Sequence, residues 1–501
     1  MSESSNLPLD VISNLTWSDG AFYLLYILIA GIVWLFLHDV LQKGHAIQRN
    51  YPVIGHIRYT FENMGEYFRQ YWFAGDREEL PFNRSTRAWV YRTAKGLGGL
   101  LGFGSTNDLR QPGSIIFVNA AYPMLEEEFT EAPAIVIGPD CKYPFAAKSI
   151  FNISGMSYGA ISAAAVRALS KGAASAGIWM NTGEGGISPF HIKGNCDLIY
   201  QIGTAKYGVR DDNGNLSDDK LRLVSKHVKA FEIKLSQGAK PGRGGVLPGA
   251  KVTAEIAEIR GIPQGKVSSS PNRHKEIRSA DDLLDMINRV RDVTGKPVGF
   301  KSVLGSDKFP KNLCKAILKR GIQYAPDFIT VDGGEGGTGA APQILADHVG
   351  LPITESLPLL VDVLSKYGLR ERIRVIASGK LVHSAKVAWA LCAGADFVVS
   401  ARGFMFSLGC VQSMQCHQDT CPTGITTHSK YRQRGLVVGV KSERVKQYAH
   451  WMNYEVNVLA HSCGLGNARE FKREHIRIVQ SPGVSWPLDV IHPYQKPTEK
   501  S

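Results

Sequence analysis

The sequence predicts an α/β fold: a TIM (β/α)8 barrel preceded by a single N-terminal transmembrane helix. Three observations predict it. Eight short, β-rich apolar runs alternate with helical patterns over about 250 residues, which is the arithmetic of a barrel rather than of an open doubly wound sheet. An uncharged apolar run, Ala21 to Leu37, lies near the start. Three of the eight cysteines fall within twelve residues, just after the last apolar run.

Composition sets the outer limits. The 501 residues are 44% hydrophobic and 21% charged, too apolar for a disordered chain and enough for one large core or two to three ordinary domains. Lys+Arg 58 against Asp+Glu 45 leaves a net charge of +13, which suits an anionic membrane surface or acidic partners. No run of five or six like charges marks a nucleic-acid tail, so a dedicated nucleic-acid binder is excluded. Eight cysteines in so long a chain are too sparse for a secreted disulfide scaffold, and their concentration points to metal in a reducing compartment.

The apolar run, AFYLLYILIAGIVWLFL, is seventeen residues long, just enough to span a bilayer. Residues 1–20 contain no Lys or Arg, and Trp34, Leu35, Phe36 and Leu37 at its end are bulky, so a retained anchor fits better than a cleaved signal peptide. Asp10 and Asp19 precede it, and Lys43, Arg49 and Arg58 follow. The positive-inside bias therefore makes this a single-pass membrane protein with its catalytic domain in the cytoplasm. The alternative is a buried or interfacial helix. The expected divisions are 1–42 for tail and anchor, 43–140 for a wrapping segment, 141–436 for the barrel, and 437–501 for a C-terminal helical segment and tail.

Strands are expected at 149–153, 178–181, 198–202, 230–235, 297–303, 328–332, 373–377 and 397–400. Helices are expected between them at 160–175, 279–293, 311–320, 356–366 and 384–393, the second opened by a Ser279/Asp282 capping arrangement. In such a barrel the chemistry sits just beyond the carboxyl ends of the strands.

The strongest chemical signal there is Cys410-x5-Cys416-His417-x3-Cys421-Pro422. Three thiolates at this spacing can converge on one soft metal centre, and Pro after the last cysteine often accompanies iron-sulfur loops. By spacing alone the candidates are an iron-sulfur loop, a zinc site completed by His417, and ordinary buried cysteines. Gly-rich loops follow at Asp332–Gly339, at Ser378-Gly379-Lys380 and at Ala401-Arg402-Gly403, where backbone N–H groups can bind phosphate; a tight turn with nothing bound uses glycine equally well. With Lys301 on the fifth strand and the Gly155-Met156-Ser157 loop after the first, the arrangement suits FMN, because a lysine can stabilise negative charge on a reduced flavin. The plain alternative for Lys301 is a strand-end lysine in solvent. Lys234 and Gln237 leave the fourth strand together, and Lys240 and Arg260 add two cations, a cluster that suits a dicarboxylate.

At these residues a resemblance becomes specific. SGMSYGAIS at 154–162, NTGEGG at 181–186, EIKLSQGAKPG at 232–242, DGGEGGTGAAP at 332–342 and CHQDTCPTGITT at 416–427 together resemble the synthase domain of glutamate synthase, from about residue 145 to 470. The resemblance implies a barrel carrying FMN and a 3Fe-4S cluster that makes L-glutamate from 2-oxoglutarate, ammonia and two electrons. It implies Cys410, Cys416 and Cys421 as cluster ligands and Lys301 as the flavin lysine. Glu184, Lys234, Gln237, Lys240 and Arg260 would line the substrate pocket. The candidate cofactor residues are Gly155, Met156, Ser157, Gln201, Lys301, Asp332, Gly333, Gly334, Gly336, Gly337, Thr338, Gly379, Ala401, Arg402 and Gly403.

Departures from the family pattern accompany it. Arg243 stands where the family carries Glu, and Val246 where it carries Gln. No amidotransferase with an amino-terminal cysteine precedes the barrel, and only about 75 residues follow Thr427, fewer than a nucleotide-binding domain usually needs. Electrons are therefore expected from a separate donor protein, and ammonia directly or from a partner. Two other readings remain: a related FMN/iron-sulfur amino-acid oxidoreductase with another substrate, such as an N-alkylglutamate synthase, and a noncatalytic electron-transfer subunit.

Overall fold

The computed structural model describes residues 17–100 and 102–497. They form two compact units that divide between Ser85 and Thr86, inside the stretch expected as one wrapping segment.

In the first unit, helix α1 (Trp17–Leu41) runs four residues beyond the uncharged stretch at each end. Its apolar side chains from Phe22 to Leu37 are almost all exposed. Among the described residues it is the one helix long and apolar enough to cross a membrane. Near its end the buried Asp39 carboxylate accepts the Val53 N–H at 2.8 Å and meets His56 Nε2 at 2.8 Å, tying α1 to helix α2 (Gly55–Phe68). Neither α2 nor helix α3 (Arg84–Ala94) had a sequence period strong enough to name.

The second unit is built on a closed, all-parallel eight-stranded barrel. Its strands in chain order are β1 (Phe151–Ile153), β2 (Met180–Asn181), β3 (Leu198–Ile202), β4 (Ala230–Lys234), β5 (Val298–Ser302), β6 (Phe328–Asp332), β7 (Arg374–Ser378) and β8 (Phe397–Ser400). Each pairs with the next, and β8 returns to β1 through Val398↔Phe151, Val399↔Asn152 and Ser400↔Ile153. Every residue of β3, β4, β5 and β6 is buried, the reason these strands read as continuous apolar runs rather than alternating ones. β2 is shorter than expected because the Trp179 N–H donates to the Asn152 side chain at 3.1 Å instead of to a strand carbonyl.

Helices cover the outside: α4 (Ala163–Ala176), α5 (Asp218–Ser225), α6 (Ala254–Arg260), α7 (Ala280–Thr294), α8 (Lys308–Arg320), α9 (Ile353–Lys366), α10 (Ser384–Cys392) and α11 (Arg402–Leu408). At the start of α7, Ser279 Oγ accepts the Asp282 N–H at 3.2 Å and Asp282 Oδ2 accepts the Ser279 N–H at 2.9 Å, a reciprocal cap. A hairpin, Ile135–Ile137 with Phe145–Ala147, closes the amino end of the barrel by packing Ile137, Phe145 and Ala147 against Ala230, Phe328 and Phe397 at the strand starts. Helix α12 (Val438–Ser462) lies along α4 so closely that a Cβ on Gly172 would come within 2.5 Å of Val445 Cβ. The stretch expected as a tail holds two strands, Ile476–Ser481 and Val484–Pro487, the first of which pairs with Ile115–Phe117 from before the barrel.

Candidate active site

Beyond the carboxyl ends of the strands lies a cleft enclosing ≈ 1060 Å³, part of it open to solvent. Glu184, Lys234, Gln237, Lys240 and Arg260 all line it, with Gly155, Met156, Ser157, Gln201, Lys301, Gly337, Thr338, Ala401, Arg402 and Cys416. Strand register explains the convergence. Lys301 of β5 is the partner of Lys234 of β4, so two ammonium-bearing chains leave the barrel side by side.

Their charges are answered differently. Lys234 Nζ lies 3.1 Å from Glu184 Oε1 and donates to Gln237 Oε1 at 2.8 Å. Lys301 Nζ lies 3.1 Å from Asp332 Oδ2, which also accepts the Gly238 N–H at 3.0 Å. Burial pushes the Glu184 carboxyl up, but Lys234, Lys240 and Arg260 outweigh it and hold it below the ordinary range. Burial likewise opposes the charges of Lys301 and Asp332, and their mutual attraction overcomes it in both. Lys240 has no such rescue: burial, joined by the charge of Lys234, pushes it down to about 8. Arg260 donates to the Tyr158 carbonyl at 3.1 Å and stacks over the Tyr207 ring, while its Nε is buried without a partner. One carboxylate thus faces several cations, and the cleft favours a ligand carrying more than one negative charge.

The floor is a hydrogen-bond net centred on Glu232, a residue of β4 that is 3% exposed. Its carboxylate accepts from Asn181 Nδ2 at 2.9 Å, Gln201 Nε2 at 2.6 Å and Thr330 Oγ1 at 2.6 Å. A Cβ on Gly155 would stand 2.9 Å from Asn181 Oδ1 and 3.0 Å from Gln201 Nε2, so only glycine lets the backbone pack this closely on the net at the edge of the cleft. An open backbone edge beside a buried lysine fits a flat group with negative charge at one edge, as FMN has.

The Gly-rich loop after β6 is held by its own backbone. The N–H groups of Gly333, Gly334 and Gly336 donate to the carbonyls of Ser378, Leu351 and Gly333, and Glu335 accepts the Ile353 N–H at the start of α9. These bonds fix the shape of the loop, and Gly333, Gly334 and Gly336 are not among the residues lining the cleft. Gly379 and Gly403 also lie off it. A Cβ on Gly403 would come 2.2 Å from Tyr448 Oη, so that glycine serves close packing. Asp332 acts through Lys301. Gly337 and Thr338 remain at the cleft, where Arg402 donates to the Thr338 carbonyl at 2.5 Å.

All eight cysteines are free thiols. Cys410 and Cys421 are buried, Cys416 is half-buried, and Arg402 Nη1 stands 3.6 Å from Cys416 Sγ. Among the described residues no three His, Cys, Asp or Glu side chains gather closely enough to hold a single ion. The three thiols lie within range of each other's charge, and Cys416 reaches the cleft. Three thiols on one loop are a soft donor set of the kind that suits iron or zinc. Gln412, Met414 and Asp419 take left-handed φ of 56°, 59° and 62°, a concentration of backbone strain such as functional loops hold.

Glu232 and Lys251 escaped the sequence reading as site residues. Glu232 sits inside a buried apolar run, and its acidity there was the available signal. Lys251 is distant in sequence from the cysteines it touches, and nothing local marked it.

A closed parallel barrel with a cation-rich cleft at its strand ends defines a barrel enzyme. Comparison narrows the class: residues 105–466 match the profile of the conserved region in glutamate synthase. The chain is 41% identical over 484 residues to the glutamate synthase large subunit-like protein YerD of Bacillus subtilis (strain 168), covering 88% of this chain and 91% of that one. It is 31% identical over 383 residues to the archaeal-type glutamate synthase (NADPH) of Thermotoga sp. (strain RQ2), covering 76% of this chain and 72% of that one. Among solved structures, the recombinant flavin-binding domain of baker's yeast flavocytochrome b2 superposes with a TM-score of 0.46 at 14% identity, over 88% of this chain and 92% of that one. The chain belongs to the glutamate synthase family of oxidoreductases.

Proposed function

We propose that this chain carries out the synthase half-reaction: 2-oxoglutarate, ammonia, two electrons and two protons give L-glutamate and water. The carrying observation is the Glu184–Lys234 pair, 3.1 Å apart, set among Gln237, Lys240 and Arg260 in one cleft. Bound there, FMN would supply hydride to C2 of the imine, and a 3Fe-4S cluster held by Cys410, Cys416 and Cys421 would supply its electrons one at a time.

The chain's own residues do the rest. Lys240 and Arg260 hold the two carboxylates of the oxoacid, and Lys234 fixes Glu184 in its ionised form. Glu184, ionised at the cleft, holds the incoming nitrogen beside C2 and takes the proton that the nitrogen releases once ammonia or an amine has bonded to that carbon. The Glu232 net keeps Asn181 and Gln201 in place beneath the reacting centre. Lys301, held by Asp332, keeps a positive charge at the floor through the turnover.

Val246 favours a second reading. It is a β-branched apolar side chain on the cleft wall, 40% exposed, beside Gly245, whose backbone approaches Glu184. A small alkylamine in place of ammonia would give an N-alkylglutamate. Helix α1 serves as the membrane anchor in this account, with the barrel in the cytoplasm and electrons arriving from a separate donor protein. Incubating the protein with 2-oxoglutarate, nitrogen-15 ammonium and a chemical reductant tests the assignment. Labelled L-glutamate is expected; an N-alkylglutamate formed only when an alkylamine replaces the ammonium selects the second reading, and no amino acid from either contradicts both.

A further inference from the structure

Lys251 ends the short turn Gly249–Lys251, between the cleft-wall residues Val246, Leu247 and Pro248 and helix α6, whose last residue is Arg260. It is 2% exposed, among the most buried side chains in the protein. Its Nζ donates to the carbonyl of Cys416 at 2.8 Å and to that of Thr426 at 2.5 Å. Those carbonyls flank Cys421 on either side, so one ammonium closes the loop's two arms onto the cleft wall. A second tie, His428 Nε2 to the Gly159 carbonyl at 2.8 Å, joins the same loop to the segment after β1. Two neutral carbonyls do not neutralise a buried ammonium. Burial opposes its charge and pulls it below the ordinary lysine range, and Asp419 and the neighbouring thiols offset only part of that cost.

We infer that Lys251 is a positioning residue: it fastens the thiol-bearing loop to the substrate wall and places its ammonium beside Cys416 and Cys421. The inference rests on the reading of that loop as the holder of an iron-sulfur cluster. A positive charge fixed beside a cluster stabilises its more negative, reduced form and makes it easier to reduce.

The test uses the full chain, purified without oxygen, with Lys251→Met and Lys251→Gln. Met removes charge and hydrogen bonds; Gln keeps a donor without charge. In both, the cluster's midpoint potential is expected to move to more negative values. In iron-free protein, hydrogen exchange across residues 412–427 should quicken about tenfold or more in Lys251→Met, as loss of a charge-assisted bond implies, and less in Lys251→Gln. Potentials equal to the parent's in either folded variant, or unchanged exchange in Lys251→Met, overturn the inference. If Lys251→Met does not fold, the potential of Lys251→Gln decides. A parent chain that binds no iron sinks the cluster reading instead, and exchange in the iron-free protein then decides whether Lys251 fastens the loop.

Discussion

Lys301 Nζ and Asp332 Oδ2 lie 3.1 Å apart at the ends of adjacent strands, with both side chains almost wholly buried. Neither charge is tolerable alone in that setting, so a fixed cation at the cleft floor exists because β6 ends on an acid. The same logic recurs at Lys234 and Glu184, while Lys240 is left with only distant compensation. Of these three lysines, two are paired with a carboxylate and Lys240 is not.

Breaking the floor pair gives the first prediction. Lys301→Met leaves Asp332 buried without its cation and should cost about 3–5 kcal/mol in chemical denaturation. Adding Asp332→Asn should recover most of that loss. A double variant as unstable as the single one would show that the pair is not the source.

Glu184 is expected to move a proton. Glu184→Gln should lower single-turnover product formation by about 10²–10⁴-fold, the usual contribution of a positioned acid–base group. It should also tighten binding of an inert dicarboxylate, because Lys234, Lys240 and Arg260 lose the anion that opposes them. An unchanged rate removes Glu184 from the chemistry.

Lys240 sets a pH dependence. Its ammonium is held to about 8, so it is charged below that pH and neutral above it. KM for the oxoacid should therefore rise as pH climbs past about 8, and Lys240→Gln should show a high, flat KM through the same range. For stability the sign is opposite. The folded value lies below the ordinary 10.5, so the buried ammonium destabilises the ligand-free protein below about pH 8, and that cost is relieved as pH rises from there towards 10.5. Lys240→Met should melt higher than the parent at pH 7, by a margin that shrinks at pH 9.5.

Removing residues 1–42 deletes all of α1 and its exposed apolar surface. The remaining chain should sediment as soluble protein while the full chain partitions into detergent or vesicles. Equal partitioning of the two contradicts the anchor.

The barrel was legible because it is written locally. Buried parallel strands read as unbroken apolar runs, and Ser279 with Asp282 announces a helix start within four residues. Glu184, Lys234 and Lys301 were legible for a related reason: each lies at or just past a strand end, where the topology must put it at the mouth. What the sequence hid depends on contacts made across the chain. Ile115–Phe117 pairs with a strand from the far end, Lys251 reaches carbonyls of a distant loop, and the amides of Gly333 and Gly334 bond to Ser378 and Leu351. Helices α2 and α3 carry aromatic and arginine side chains on mixed faces, so no clean period survived for local reading.

The most direct test follows the flavin absorbance of chemically reduced holoprotein when 2-oxoglutarate and ammonium are added together without oxygen. The account predicts rapid reoxidation that needs both reactants, fails with mono-carboxylic oxoacids, and is lost in Glu184→Gln. Flavin that stays reduced with every pairing of oxoacid with ammonium or small alkylamine, in protein shown to hold both flavin and iron, would contradict it.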